Sequence, residues 1–96
     1  LNPEDTMPLF ALICTDKADH EDLRKATREE HLAYLNSTGV TLMAGPFLDQ
    51  GTMTGSLVVI DVADKAAAEN WAANDPYAKA GLFAKVRIEE WKKVIG

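Results

Sequence analysis

At 96 residues, with 47% apolar side chains, the chain is the size of one small domain with enough apolar mass for a core. The formal charge of −5 and the absence of a Lys/Arg stripe argue against nucleic acid and against an anionic membrane surface as partners. No apolar run of 18 residues marks a membrane span, and a single cysteine excludes an internal disulfide.

Residues 1–6, LNPEDT, carry no pattern and precede Met7. They read as an expression remnant or a disordered tail, with Met7 as the native start and residues 7–96 as a single domain. No signal-peptide pattern is present, so a cytoplasmic home is expected. That suits Cys14, which sits in the apolar run LFALIC and reads as a core thiol.

PLFALICT (8–15) is a continuous apolar run of strand length, the pattern of a strand covered on both faces. The next stretch alternates polar and apolar residues between Asp19, an N-cap candidate, and Gly39, a C′ candidate, and predicts a long helix. VTLMAGPF (40–47) predicts a second strand, ended by Gly45-Pro46. LDQGTMTG (48–55) is turn-rich and predicts a loop. SLVVIDV (56–62) predicts a third strand, and DKAAAENWAAN (64–74) a second helix capped by Asp64. LFAKVRIEEW (82–91) predicts the last strand, with Ala84, Val86 and Ile88 on one face and Lys85, Arg87 and Glu89 on the other. Such a strand has one wet face or lies near an edge.

The order βαββαβ is the split βαβ pattern of the ferredoxin-like fold, an α+β sandwich with an antiparallel four-stranded sheet. Strands one and three are central there, and here they are the most apolar. Two helices cover only one sheet face. The simplest cover for the other face of FALIC and LVVI is a second copy of the chain, so a homodimer packed sheet to sheet is expected.

The chemistry-bearing residues fall on the first helix and at the end of the second. On a wheel at about 100° per residue, His31 lies inside the core-facing arc between Thr27 and Leu35, with Arg28 one turn earlier at its leucine edge. The arrangement reads two ways: a satisfied core histidine with Arg28 extended to solvent, or a titratable group facing a site. Pro76 disfavours helical geometry at Asp75, and an acid at a helix C-terminus opposes the dipole, so Asp75 needs a compensating partner. The two helices are antiparallel neighbours in this fold, which brings Asp75 near the first half of the first helix. It then meets either His31, fixing its tautomer and making a general acid/base, or Arg28, in an ion pair that staples the helices.

Ser56 either offers a hydroxyl to the same pocket or simply opens a strand, and Gly45-Pro46 shapes a wall. Trp71 and Trp91 fill core or interface, and His20 is a solvent-exposed residue of the first helical turn. No Cys/His cluster has metal-ligand spacing and no Gly-rich phosphate loop follows a strand, so neither metal nor other cofactor is expected.

REEHLAYL, AGPF, TGSLVVID and NWAANDPYAKAGLFAKVRIEEWKKV together resemble the YciI-like proteins, the family of the YCII-related domain, over nearly the whole chain from Met7. The segments R-x-x-H-L and DPY-x-x-A-G-L carry the resemblance most specifically. It implies a ferredoxin-like fold, dimers with facing sheets in the manner of dimeric α/β barrels, and a cleft lined by a His-Asp pair. Those two residues are His31 and Asp75 here, and Arg28, Ser56, Gly45, Pro46 and Tyr77 stand at neighbouring motif positions as substrate-binding residues. The resemblance also implies kinship in fold with muconolactone isomerase and small monooxygenases, in a family that includes a dehydrochlorinase of a chlorinated hydroquinone.

The resulting expectation is a small cofactor-independent enzyme of lyase, isomerase or hydrolase type. Asp75 orients His31, His31 moves a proton on a small cyclic or aromatic substrate, and Arg28 holds a carboxylate or enolate oxygen. The alternative is a non-catalytic domain that binds a small metabolite or serves as an accessory interaction module. A cofactor-free monooxygenase is a third reading.

Overall fold

The computed structural model describes residues 8–96. The reading of residues 1–6 as a remnant or tail, with Met7 as the start, lies outside the described residues. The elements run β1 (Leu9–Asp16), α1 (Glu21–Thr38), β2 (Thr41–Asp49), β3 (Thr52–Asp61), α2 (Lys65–Ala73), α3 (Pro76–Lys79) and β4 (Phe83–Trp91). One sheet in the order β2-β3-β1-β4 is antiparallel throughout, so β1 and β3 are central and the half-polar β4 is an edge. This is the ferredoxin-like arrangement expected from the element order.

Period-two alternation decides which side chains meet the helices. Phe10, Leu12 and Cys14 of β1 and Val58 and Ile60 of β3 form the buried core with Leu35 of α1 and Ala68 and Trp71 of α2. Ala11, Ile13, Leu57 and Val59 alternate with these and so occupy the opposite face. That face also carries Met43 and Phe47 from β2 and Trp91 from β4, each at least 40% exposed. Trp71 is thus core, and Trp91 lies on the open sheet face.

Three local expectations are corrected. First, α1 starts at Glu21 with His20, half-buried, at the N-cap; Asp19 adopts a left-handed φ of 60° and does not cap. Gly39 ends the helix in the left-handed conformation, as expected. Second, residues 48–55 are not a loop. Leu48 and Asp49 pair with Met53 and Thr52, and the turn is only Gln50-Gly51, with φ of 50° and 84°. Positive φ at both central residues is the type I′ pattern, whose twist lets two strands continue straight through. Third, α2 stops at Ala73, and Asp75 opens a separate helical turn. Its carboxylate accepts from the Tyr77 backbone N–H, and Pro76 occupies N1, where its missing N–H costs nothing. Asp75 therefore sits at a helix N-terminus, where the dipole favours an acid, and the expected penalty does not arise.

Candidate active site

The buried residues of α1 are Arg24, Thr27, His31 and Leu35, a single stripe at helical spacing. A packing helix fills such a stripe with apolar side chains. Here two of the four are basic, and both find partners below the helix.

His31 Nδ1 lies 2.8 Å from Asp75 Oδ1, with His31 6% and Asp75 4% exposed. The same Oδ1 accepts from the Tyr77 N–H at 2.9 Å. A carboxylate is acceptor-only, so Nδ1 is the donor and the neutral ring carries its proton there. Among the described residues Nε2 has no hydrogen-bond partner and is not one of the buried unpaired atoms, so it meets the solvent of the adjoining cleft. Tyr77 backs the imidazole: their centroids are 3.9 Å apart with the planes 15° from parallel. The DPY segment thus aims a carboxylate and a stacking ring at one histidine.

The cleft has a volume of about 170 Å³ between α1, β2 and β3. Arg28, His31, Gly45, Pro46, Ser56 and Tyr77 all line it, with Leu32, Leu35, Ala44, Met53 and Val58 as apolar walls. Asp75 stands behind the imidazole. A larger cavity of about 330 Å³, lined by Leu32, Leu35, Leu42 and Ala44 among others, shares walls with this cleft and holds no titratable side chain. The titratable side chains line the smaller space. Among the described residues, no group of three His, Cys, Asp or Glu side chains is placed to hold a metal ion.

Arg28 makes no ion pair with Asp75; it is exposed at the cleft rim. The buried guanidinium is that of Arg24, which sequence reasoning missed. Its Nε and Nη2 donate to the two carboxylate oxygens of Asp16 at 2.6 and 2.9 Å, and Nη2 also donates to Ser56 Oγ at 2.8 Å. The guanidinium carbon lies 4.7 Å from the centroid of the Tyr77 ring. Burial works against the Arg24 charge, but the Asp16 carboxylate outweighs it and holds the group above its ordinary pKa. One signal could have exposed Arg24: it precedes His31 by seven residues, two helical turns, and so shares its face.

Burial dominates the other shifts. It pushes the Cys14 thiol up from 9.0 to about 12, with Asp75 and Asp16 adding to the rise and Arg24 opposing it. It also raises Tyr77, against the pull of Arg24 and Arg28.

An antiparallel sheet in this order with its helices on one side, enclosing a cleft with a buried His-Asp pair, defines a ferredoxin-like α+β protein with a small-molecule-sized site. The fold is shared with a solved antibiotic biosynthesis monooxygenase, at a TM-score of 0.59 and 14% identity over 93% of this chain and 100% of that one. More particularly, the chain belongs to the YCII-related domain family, which it matches over residues 8–92. It is 36% identical to protein YciI of Escherichia coli O6:H1, in a match that covers 90% of this chain and 98% of that one. It is 31% identical, with a TM-score of 0.79, to 5-chloro-2-hydroxyhydroquinone dehydrochlorinase (TftG) of Burkholderia phenoliruptrix AC1100, solved in complex with 2,5-dihydroxybenzoquinone; the match covers 88% and 93% of the two chains.

Proposed function

We propose that the chain is a small enzyme in which His31, oriented by Asp75, moves a proton on a small hydroxylated or enolisable ring substrate. One observation carries this reading: Asp75 Oδ1 accepts from both the Tyr77 N–H and His31 Nδ1, which leaves Nε2 as the free base at the cleft. Nε2 takes a proton from the substrate, and the imidazolium so formed lies against the buried carboxylate, which stabilises it. The proton then returns to another substrate atom or to a leaving group. Arg28 at the rim holds the developing oxyanion or a carboxylate, while Ser56, Gly45, Pro46 and Tyr77 shape the pocket. His31 and Asp75 suffice for this step, so no cofactor is invoked. The dehydrochlorinase neighbour supports a lyase or related elimination over isomerase or hydrolase chemistry.

A homodimer belongs to the same proposal. The apolar open sheet face, from Ile13 and Leu57 to Phe47 and Trp91, fits a second copy of itself. Neither nucleic acid nor membrane is a partner on this reading, and Cys14, a free buried thiol, fits a cytoplasmic home. The accessory-domain alternative draws on the second role of Asp75: it caps α3, so its bond to His31 would staple α1 to α3 without chemistry.

The test is turnover of small hydroxyquinones and enolisable ring ketones, followed by absorbance, for the wild type and His31→Ala. Turnover should fall to background in the variant. Equal turnover in both proteins removes His31 from the chemistry.

A further inference from the structure

A serine hydroxyl normally turns to suit its ligand, donating or accepting as required. Ser56 is not free to do so. It is 3% exposed, lies on β3 with both neighbouring strands paired, and receives an N–H of Arg24 at 2.8 Å. Arginine has donors only, and Arg24 is itself fixed by two bonds to Asp16. The Ser56 oxygen is therefore engaged as an acceptor. Its own proton goes to no acceptor among the described residues, and Ser56 lines the His31 cleft.

We infer that Arg24 is a positioning residue of the cleft: it commits the Ser56 hydroxyl to donate inward, so the site selects ligands that present an acceptor oxygen beside the proton that His31 removes. The clause about His31 rests on the proposed function; the polarity of Ser56 does not. Asp16 neutralises the Arg24 charge, so Arg24 acts by orienting a dipole and the exposed Arg28 supplies the free cation. Besides Arg24, which lines the cleft itself, the site then offers an acceptor, Nε2, a fixed donor, Ser56, and a cation unpaired among the described residues, Arg28. The complement is a phenol, enol or hydroxyquinone whose ionisable hydroxyl neighbours a carbonyl or oxyanion. An amine, or a polyol without such an oxygen, lacks the match.

An Arg24–Asp16 pair that only tied β1 to α1 would not need its third bond to a cleft residue, nor Arg24's place over the ring that backs His31. Removing Arg24 alone would strand a buried carboxylate, so both partners are replaced together. The experiment is calorimetric binding of 2,5-dihydroxybenzoquinone in a four-protein cycle: wild type, Ser56→Ala, Arg24→Met with Asp16→Leu, and all three changes combined. Ser56→Ala should weaken binding about tenfold in the wild-type background and less than about threefold once Arg24 and Asp16 are gone. A structural pair would lower the melting temperature but leave the Ser56 effect equal in both backgrounds, which overturns the inference. Failure of the wild type to bind the probe, or of Ser56→Ala to weaken binding, also overturns it. If the paired variant does not fold, Arg24→Lys takes its place, because an ammonium point charge cannot hold the Asp16 fork and Ser56 together. His31→Ala keeps the two readings apart: the cycle should persist in it, even where all proton transfer is lost.

Discussion

Asp75→Asn separates a working dyad from a staple. The amide is nearly isosteric, and its oxygen can still accept from the Tyr77 N–H now 2.9 Å away, so α3 keeps its cap. What disappears is the charge 2.8 Å from Nδ1. A hydrogen bond to a charged partner is worth about 1.5–3 kcal/mol against about 0.5–1.5 for a neutral one. The Nδ1–H tautomer should therefore lose about 1–2 kcal/mol, a shift of about 5–30-fold in the tautomer ratio. The loss is larger once the ring takes up a proton, because the imidazolium then faces a dipole instead of a buried anion. Breaking a buried charge pair costs about 3–5 kcal/mol, so turnover should fall about 10²–10⁴-fold. Stability should change little, by about 1 kcal/mol and a few degrees in Tm, since one buried charge also leaves the interior. The assay is ¹⁵N NMR of the His31 ring together with thermal melting. The wild type should show a dominant Nδ1–H form and the variant a mixture with Nε2–H. An unchanged tautomer with a Tm loss above about 10 °C would refute the reasoning and leave a helix staple.

Four further outcomes follow from other parts of the fold. The rise of Cys14 from 9.0 to about 12 spans three pH units, so its labelling by iodoacetamide at pH 8 should be about a thousandfold slower in the folded than in the unfolded chain. The unfolded chain releases this proton first, so Cys14's contribution to stability is intact below about pH 9 and is lost as pH rises toward 12; urea midpoints should fall over that range, and less steeply in Cys14→Ala. Gly55→Ala should destabilise by at least about 2 kcal/mol in urea melts, because a Cβ there would collide with the Cys14 carbonyl oxygen and press on the Phe47 ring. Light scattering should give a mass near twice 10.5 kDa for the wild type and near 10.5 kDa for Ile13→Glu, which places a charge in the middle of the open sheet face; a monomeric wild type removes the dimer from the proposal.

The order of elements, the central place of β1 and β3 and the edge position of β4 were legible in the sequence, because apolar runs and alternation depend only on which faces are buried. The inward place of His31 and a break at Asp75 were legible too, one from helical period and the other from Pro76; that Asp75 meets His31 rather than Arg28 was left open and is decided by the packing. The dipole effect at Asp75 nevertheless has the opposite sign from the one expected, because the acid begins α3 rather than ending α2. One residue of displacement at a helix junction turns a dipole penalty into a cap, and no local pattern resolves that. Gln50-Gly51 was an available turn signal; its polar surroundings hid the fact that β2 and β3 run through it.

The Arg24–Asp16–Ser56 cluster belongs to tertiary structure alone. Its members come from α1, the end of β1 and the middle of β3, with Arg24 eight residues from Asp16 and 32 from Ser56 along the chain. The sequence determines that Arg24 shares a helix face with His31; only the register of β1 against β3 decides what lies beneath that face. Cys14 pairs with Ser56 there, and two residues further along β1 Asp16 meets the guanidinium. Side-chain chemistry is written locally, whereas partnership is set by the packing of strands remote in sequence.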